Sequence, residues 1–326
     1  MEIITFTTHK AGAWQPMRVG ASLGSHYSDY LLDFEGAFDG AEKPASQLAW
    51  LDMDAQWFQS SQERYETLIG APDRLEETLE KGWLTRRSEA YWLASVPRPG
   101  KLICIGLNYR DHAAESGASI PERPVVFSKF SSSVIAPGEA VILPAGSQQV
   151  DYEAELAVVM GRRAKNVSAS RALDYVLGYT TFNDVSARDF QFADGQWQRG
   201  KSCDTFAPMG SPIVTTDRIP DPNRLSIKLT LNGETMQDSN TDQMIFSVPE
   251  LIEFISQTIT LEPGDVIATG TPHGVGFARK PPVFLKPGDF MEVEIEGVGK
   301  LGNPVVAADA GVYPVDPLPL MMRGRR

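Results

Sequence analysis

Apolar and polar positions change their rhythm more than once along the chain. Near the start, IITFTT (3–8), MRVGASLG (17–24) and YLLDF (30–34) are short apolar runs separated by turn signals, and they predict strands. WFQSSQERYETLIG (57–70) and PDRLEETLEKGWL (72–84) predict helices, with Pro72 where a first helical turn accepts it. SVPRPGK (95–101) then places two prolines and a glycine in seven residues. That break predicts a boundary between a small N-terminal α+β domain, 1–95, and a larger domain, 96–326.

Strand patterns dominate the larger domain. LICIG (102–106), PVVFSKF (124–130), DYEAELAVVMG (151–161), YTTFNDV (179–185), LSIKLTLNGE (225–234), DVIATG (265–270) and DFMEVEIEG (289–297) all read as β. MEVEIE alternates strictly, so one face of that strand is solvated and the other is core. Two helices interrupt the strands. SASRALDYVLG (168–178) closes on Gly178 as a C′ residue, and SVPELIEFIS (247–256) opens on a capping box of Ser247 and Glu250. Turn pairs recur at Pro137-Gly138, Asn232-Gly233, Pro263-Gly264 and Pro287-Gly288. Many short strands with little helix predict a mostly β (α+β) rolled sheet or barrel, not a doubly wound sheet. No internal repeat or low-complexity tract is visible.

Composition narrows the partners. With 42% hydrophobic and 22% charged residues, the chain supports a sizeable core and is not a disordered sequence. Lys+Arg 30 against Asp+Glu 42 gives a net charge of −12, which argues against nucleic acid or an anionic membrane as partner. An anionic substrate therefore needs a local positive site. Cys104 and Cys203 make no disulfide framework and fit the reducing cytoplasm. The opening MEIITFTTHK lacks a basic-then-apolar leader, and no apolar run is long enough to span a bilayer.

The strongest chemical signal is Asp151-Tyr152-Glu153-Ala154-Glu155, which runs into the apolar Leu156–Met160. On one strand Asp151, Glu153 and Glu155 share a face, and acids entering a core repel one another unless a cation joins them. Oxygen donors without a nearby Cys or His select Mg²⁺, Mn²⁺ or Ca²⁺ over Zn²⁺. The alternative is an exposed acidic strand end. Asp184 follows another apolar strand and would complete a three-carboxylate set, or would cap the SARDF turn after it. His112 and Glu115 are one helical turn apart, either as a carboxylate-supported base or as a surface pair. Lys201 is the basic element that an anionic substrate calls for, or a solvated loop lysine. GTPHGVG (270–276) is glycine-rich without the ending of a phosphate loop, yet its amides could contact a carboxylate.

In this order, IGLNYRDHAAE, VDYEAELAVVMG, GYTTFNDVSARDFQ, WQRGKSCDTFAPMG, ATGTPHGVG and KPPVFLKPGDFMEVEIEGVGKLGNPV resemble the fumarylacetoacetate hydrolase family over about 101–305. The resemblance implies the family's rolled sheet, and Mg²⁺ or Mn²⁺ (with Ca²⁺ as a crystal substitute) held by Glu153, Glu155 and Asp184. It implies that His112 and Glu115 activate water when a lid segment orders, and that Lys201 meets the substrate or its oxyanion. Arg110, Gln191 and Thr271 would line the substrate. It also implies a homodimer and a small anionic 2-oxo acid as the partner. Residues 109–123 mix charges with Gly117 and Pro121, which suits a lid. The expected reaction is hydrolysis of a C–C bond in an acylpyruvate or fumarylpyruvate through a pyruvate enolate. The alternatives at the same site are oxaloacetate decarboxylation and 2-hydroxydienoate isomerisation. A metal-stabilised binding protein without catalysis is a further class, and the presence of His112 and Glu115 counts against it.

Overall fold

The computed structural model describes residues 1–8, 17–24, 27–38, 47–71, 74–193 and 195–309. Pro72, His9 and His26 lie outside these. An eleven-stranded sheet forms the spine. Its middle is the antiparallel pair Ala154–Met160 and Val176–Asn183, in register from Ala154 opposite Asn183 to Val159 opposite Gly178. Every residue of both strands is buried. That explains why they read as nearly continuous apolar runs, since both faces of the sheet are covered.

Alternate side chains serve two cores. Leu156, Val158 and Met160 join Ile227, Leu229, Met291, Val293 and Leu301 of the second sheet. Ala157 and Val159 join Ile3, Val19, Trp50, Phe58 and Leu68 of the N-terminal segment. The second sheet runs Glu234–Asn240, Ser226–Leu231, Phe290–Ile295, Gly299–Val306 and Val141–Ile142. Within it Phe290–Ile295 buries every second residue, as its alternation predicts. Asn232 and Gly233, both at positive φ (55° and 84°), turn the first hairpin.

The described residues before 96 are continuous with this spine. Strand Glu2–Thr7 pairs antiparallel with Ile213–Thr215, with Ile3 opposite Ile213, and extends the sheet through Arg18–Ser22, Tyr30–Asp33 and Leu84–Arg86. The helices Gln56–Ile69 and Leu75–Glu80 follow. The helix expected at 168–178 is corrected. Only Ala169–Tyr175 coils, as a 3-10 helix, and Gly178 sits inside a strand. A Cβ on Gly178 would lie 2.2 Å from the Val214 carbonyl oxygen, so this glycine serves close strand approach and caps nothing. The helix Val248–Thr258 forms with its capping box of Ser247 and Glu250.

One end of the spine collects the chemistry. Strand Val266–Ala268 runs antiparallel to Ala154–Met160 and parallel to Leu102–Gly106. The start of 154–160 and the ends of 176–183, 102–106 and 266–268 therefore lie at the same edge. Glu153, Asp184, the helix Arg110–Ser116 and the glycine-rich loop after Ala268 all emerge there.

Candidate active site

Residues 152 and 153 interrupt the strand pattern between Val150–Asp151 and Ala154–Met160. The Glu153 N–H donates to the Asn183 side chain (3.0 Å), and the Asp184 N–H donates to the Glu153 carbonyl (2.9 Å). These bonds tie the two acidic strand ends together. Glu153, Glu155 and Asp184 are buried, and each places a carboxylate oxygen within 4.8 Å of the others. The expected shared face does not hold for Asp151. Its carboxylate instead accepts from Arg188 (2.8 Å) and from the amides of Gly276 (2.7 Å) and Phe277 (3.1 Å).

Three buried cations answer the acids. Lys201 Nζ donates to Glu153 (2.8 Å) and Asp184 (2.7 Å), so it is no solvated loop lysine. Lys129 Nζ reaches the other Asp184 oxygen (2.6 Å) and the Val185 carbonyl (2.9 Å). Arg188 spans Asp151 and Glu153, at 2.6 Å from the latter. Asp184 spends its carboxylate on lysines and not on a helix cap. Glu155 receives the Gly270 N–H at 2.9 Å. Lys129 and Arg188 were missed as site residues, and Asp151 was expected on the shared acidic face and not on Arg188. The available signals were a lysine closing an apolar run (PVVFSKF) and an arginine four positions after Asp184.

The charge distribution is uneven. Burial pushes Glu153 up, but Lys201 and Arg188 outweigh it and hold its carboxyl at about 2. Burial, then the like charges of Asp184 and Glu153, push Glu155 well above the usual carboxylate range. Burial also works against the Lys201 ammonium, yet Asp184 and Glu153 keep it above its ordinary value. With Glu155 ionised, four carboxylates among these buried groups face three cations, one negative charge in excess. An all-oxygen donor set with excess negative charge and an unrelieved Glu155 fits a hard divalent cation.

Facing the cluster is the helix Arg110–Ser116, closed by Gly117 in the left-handed region (φ 64°). Its buried residues are His112 and Ala113. His112 Nδ1 lies 2.7 Å from Glu115 Oε1, which assigns the ring proton to Nδ1 and leaves the Nε2 lone pair as an acceptor. Phe277 links the pair to the cluster, because its ring touches both His112 and Arg188. Phe277 stands edge-on to His112 (centroids 6.4 Å, 87°) and packs its ring under the Arg188 guanidinium at 4.4 Å.

The remaining candidates are distributed differently. Gln191 is buried and accepts from Arg188 (3.0 Å). Thr271 donates to the Ala154 carbonyl and accepts from Gln237, both at 2.9 Å. Arg110 is exposed and donates to the Met244 carbonyl (2.5 Å), on the far side of its helix turn from the buried His112.

A mostly β core that sets an all-carboxylate cluster able to hold a divalent cation against a histidine–glutamate pair has the make-up of an enzyme. The model for the fumarylacetoacetate (FAA) hydrolase C-terminal domain matches residues 101–306, and the chain belongs to that family of enzymes. It is 51% identical over 224 residues to the rat oxaloacetate tautomerase Fahd2a, mitochondrial, covering 68% of this chain and 72% of that protein. Among solved structures it is similar to the 2-hydroxyhepta-2,4-diene-1,7-dioate isomerase from Mycobacterium marinum. There the TM-score is 0.68 at 32% identity, over 95% of this chain and 99% of that one. It is also similar to a fumarylacetoacetate hydrolase from Exiguobacterium antarcticum, with TM-score 0.71 and 32% identity over 93% and 99%. No helix among the described residues is long and apolar enough to cross a membrane.

Proposed function

We propose that the protein interconverts the keto and enol forms of a small 2-oxo dicarboxylate of the oxaloacetate type, with Mg²⁺ or Mn²⁺ held by Glu153, Glu155 and Asp184. The observation that carries this is the His112–Glu115 pair, whose buried imidazole stands edge-on to Phe277, the ring that also packs under Arg188 of the carboxylate cluster. Support also comes from the name of the rat relative, a tautomerase, and from the isomerase among the structural neighbours. These favour the isomerase-type alternative over the hydrolysis expected from the motifs.

When bound, the cation supplies polarisation of the 2-oxo group and neutralises the excess buried charge. The chain's residues do the proton work. His112 Nε2 takes a proton from C3 of the substrate, and Glu115 holds the resulting imidazolium through Nδ1–H. Lys201 presents its ammonium to the oxygen that gains charge as the enolate forms. The same proton is then returned to oxygen for the enol, or to carbon for the reverse direction. No water is consumed, and only C–H and O–H bonds change.

Hydrolysis of an acylpyruvate is the second reading. The same pair could deliver a water to a distal carbonyl, and one structural neighbour is named a hydrolase. The deciding experiment supplies the purified protein with Mg²⁺ or Mn²⁺ and either enol-oxaloacetate or acetylpyruvate. Loss of the enol absorbance faster than in buffer, without pyruvate release, is the expected result. Pyruvate from acetylpyruvate with no effect on enol decay would replace this reading with the hydrolase one, and pyruvate from oxaloacetate with the decarboxylase one. A homodimer in a reducing compartment such as the cytoplasm belongs to the same proposal, and sedimentation at twice the chain mass tests the dimer.

A further inference from the structure

The loop Gly270–Phe277 donates backbone amides to four different carboxylates. Gly270 N–H goes to Glu155 (2.9 Å), and His273 N–H to Asp111 (3.3 Å). Gly274 N–H goes to both oxygens of Glu115 (3.0 Å each). Gly276 N–H (2.7 Å) and Phe277 N–H (3.1 Å) go to Asp151. Two of these acceptors belong to the cluster: Glu155 directly, and Asp151 through Arg188 to Glu153. The other two, Asp111 and Glu115, belong to the helix that carries His112. Eight consecutive residues thus bridge the two halves of the site.

The bridge packs closely against its neighbours. Gly270 and Gly274 sit at φ +98° and +94°, and a Cβ on Gly274 would lie 2.1 Å from the Met236 carbonyl oxygen. Only one side chain of the loop adds a polar bond to the helix. His273 Nδ1 lies 2.9 Å from Asp111 Oδ2, which also accepts from Ser239 Oγ (2.5 Å). Asp111 Oδ1 also accepts from the His112 N–H (2.7 Å). A charged acceptor bonded on both oxygens holds its helix more firmly than neutral bonds would. His273 touches neither the carboxylate cluster nor His112 in any bond among the described residues, so its influence runs through Asp111.

We propose that the loop Gly270–Phe277 sets the spacing between the His112–Glu115 pair and the carboxylate cluster, and that His273 is a positioning residue that fixes this spacing through Asp111. The inference rests on the reading of His112 as the proton-moving group. It predicts a defect in the chemical step without a defect in cation binding, because a misplacement of the base of about 1 Å is enough to slow catalysis.

The test compares His273→Ala and His273→Gln with the parent protein. His273 is largely exposed, so neither variant threatens folding. Four quantities are read: kcat and KM for enol-oxaloacetate, the Kd for Mn²⁺ by calorimetry, and amide exchange at residues 113–117. For His273→Ala, kcat should fall by about 10-fold while KM stays within about 2-fold. The Mn²⁺ Kd should not change, and the helix amides should exchange several-fold faster. His273→Gln, which keeps an N–H donor, should recover most of the loss. Faster exchange with unchanged kcat would make the contact merely structural and overturn the proposal. An equal loss of Mn²⁺ affinity would overturn it as well, because the loop would then serve only the cluster. His112→Ala is the control. If it retains normal turnover, the proton-moving reading fails; if it does not and His273→Ala is silent, only the positioning role fails.

Discussion

Glu153, Glu155 and Asp184 stand at the ends of strands buried on both faces, whereas His112 and Glu115 stand on a seven-residue helix with only His112 and Ala113 buried. Both halves border the same space, but different forces place them. The carboxylates are fixed by the ladder between Ala154–Met160 and Val176–Asn183 and by Lys129, Lys201 and Arg188. The helix is fixed by hydrogen bonds from a loop. A buried charge cluster needs a rigid frame, because any unpaired member costs several kcal/mol. A proton-transfer group needs access, and a short helix on few contacts grants it.

The comparison breaks first at the metal. Chelation of divalent cations should reduce turnover by about 10² or more, and Mg²⁺ or Mn²⁺ should restore it. Glu155→Gln should weaken Mn²⁺ binding yet raise the urea midpoint of the metal-free protein at neutral pH, since it removes a carboxyl that burial and the charges of Asp184 and Glu153 resist ionising. A lowered midpoint would contradict the account of Glu155 as the strained member.

Next in size is the base. His112→Ala should cost about 10²–10⁴ in turnover, the scale of general acid–base catalysis. Its Mn²⁺ affinity and thermal midpoint should stay near those of the parent protein, because no carboxylate of the cluster loses a hydrogen bond and Glu115, which loses His112, keeps the Gly274 amide. An equal loss of cation binding would show that helix and cluster are one unit, not two.

The smallest effect on chemistry and the largest on stability belong to Lys129. Lys129→Met leaves one Asp184 oxygen without its buried cation. Equilibrium unfolding should register a loss of about 3 kcal/mol, the cost of breaking a buried pair by removing one partner. Added Mn²⁺ should recover part of it by binding the folded state. Stability unaffected by this change would assign Asp184 entirely to Lys201 and the cation.

Much of the cluster was legible in one dimension. Glu153 and Glu155 precede an apolar run and Asp184 follows another, so strand periodicity alone brings acids to the margin of a core. His112 and Glu115 were legible because three residues make one helical turn. The counterions were not. Lys129 and Arg188 lie 55 and 37 positions from the acids they meet, and a lysine near the end of an apolar run or an arginine past Asp184 does not by itself mark a buried cation. Gly178 misled for the same reason. A glycine after a helical pattern suggests a cap, and only the approach of the Val214 backbone shows why a side chain is excluded there.

The sequence by itself determined the strand-rich class, the capping box at Ser247, the alternation of Phe290–Ile295 and the acids and pair that form the site. Each is a property of neighbours within a few residues, where bond geometry dictates which side chains share a face. The tertiary structure alone decided that the described residues before 96 extend the same sheet and cover its second face. It alone decided that Asp151 turns to Arg188, and that one glycine-rich loop holds both the cluster and the helix. Those outcomes depend on which distant segments compete for the same buried carboxylates, and a buried charge is settled only by the partners that folding brings within hydrogen-bonding distance.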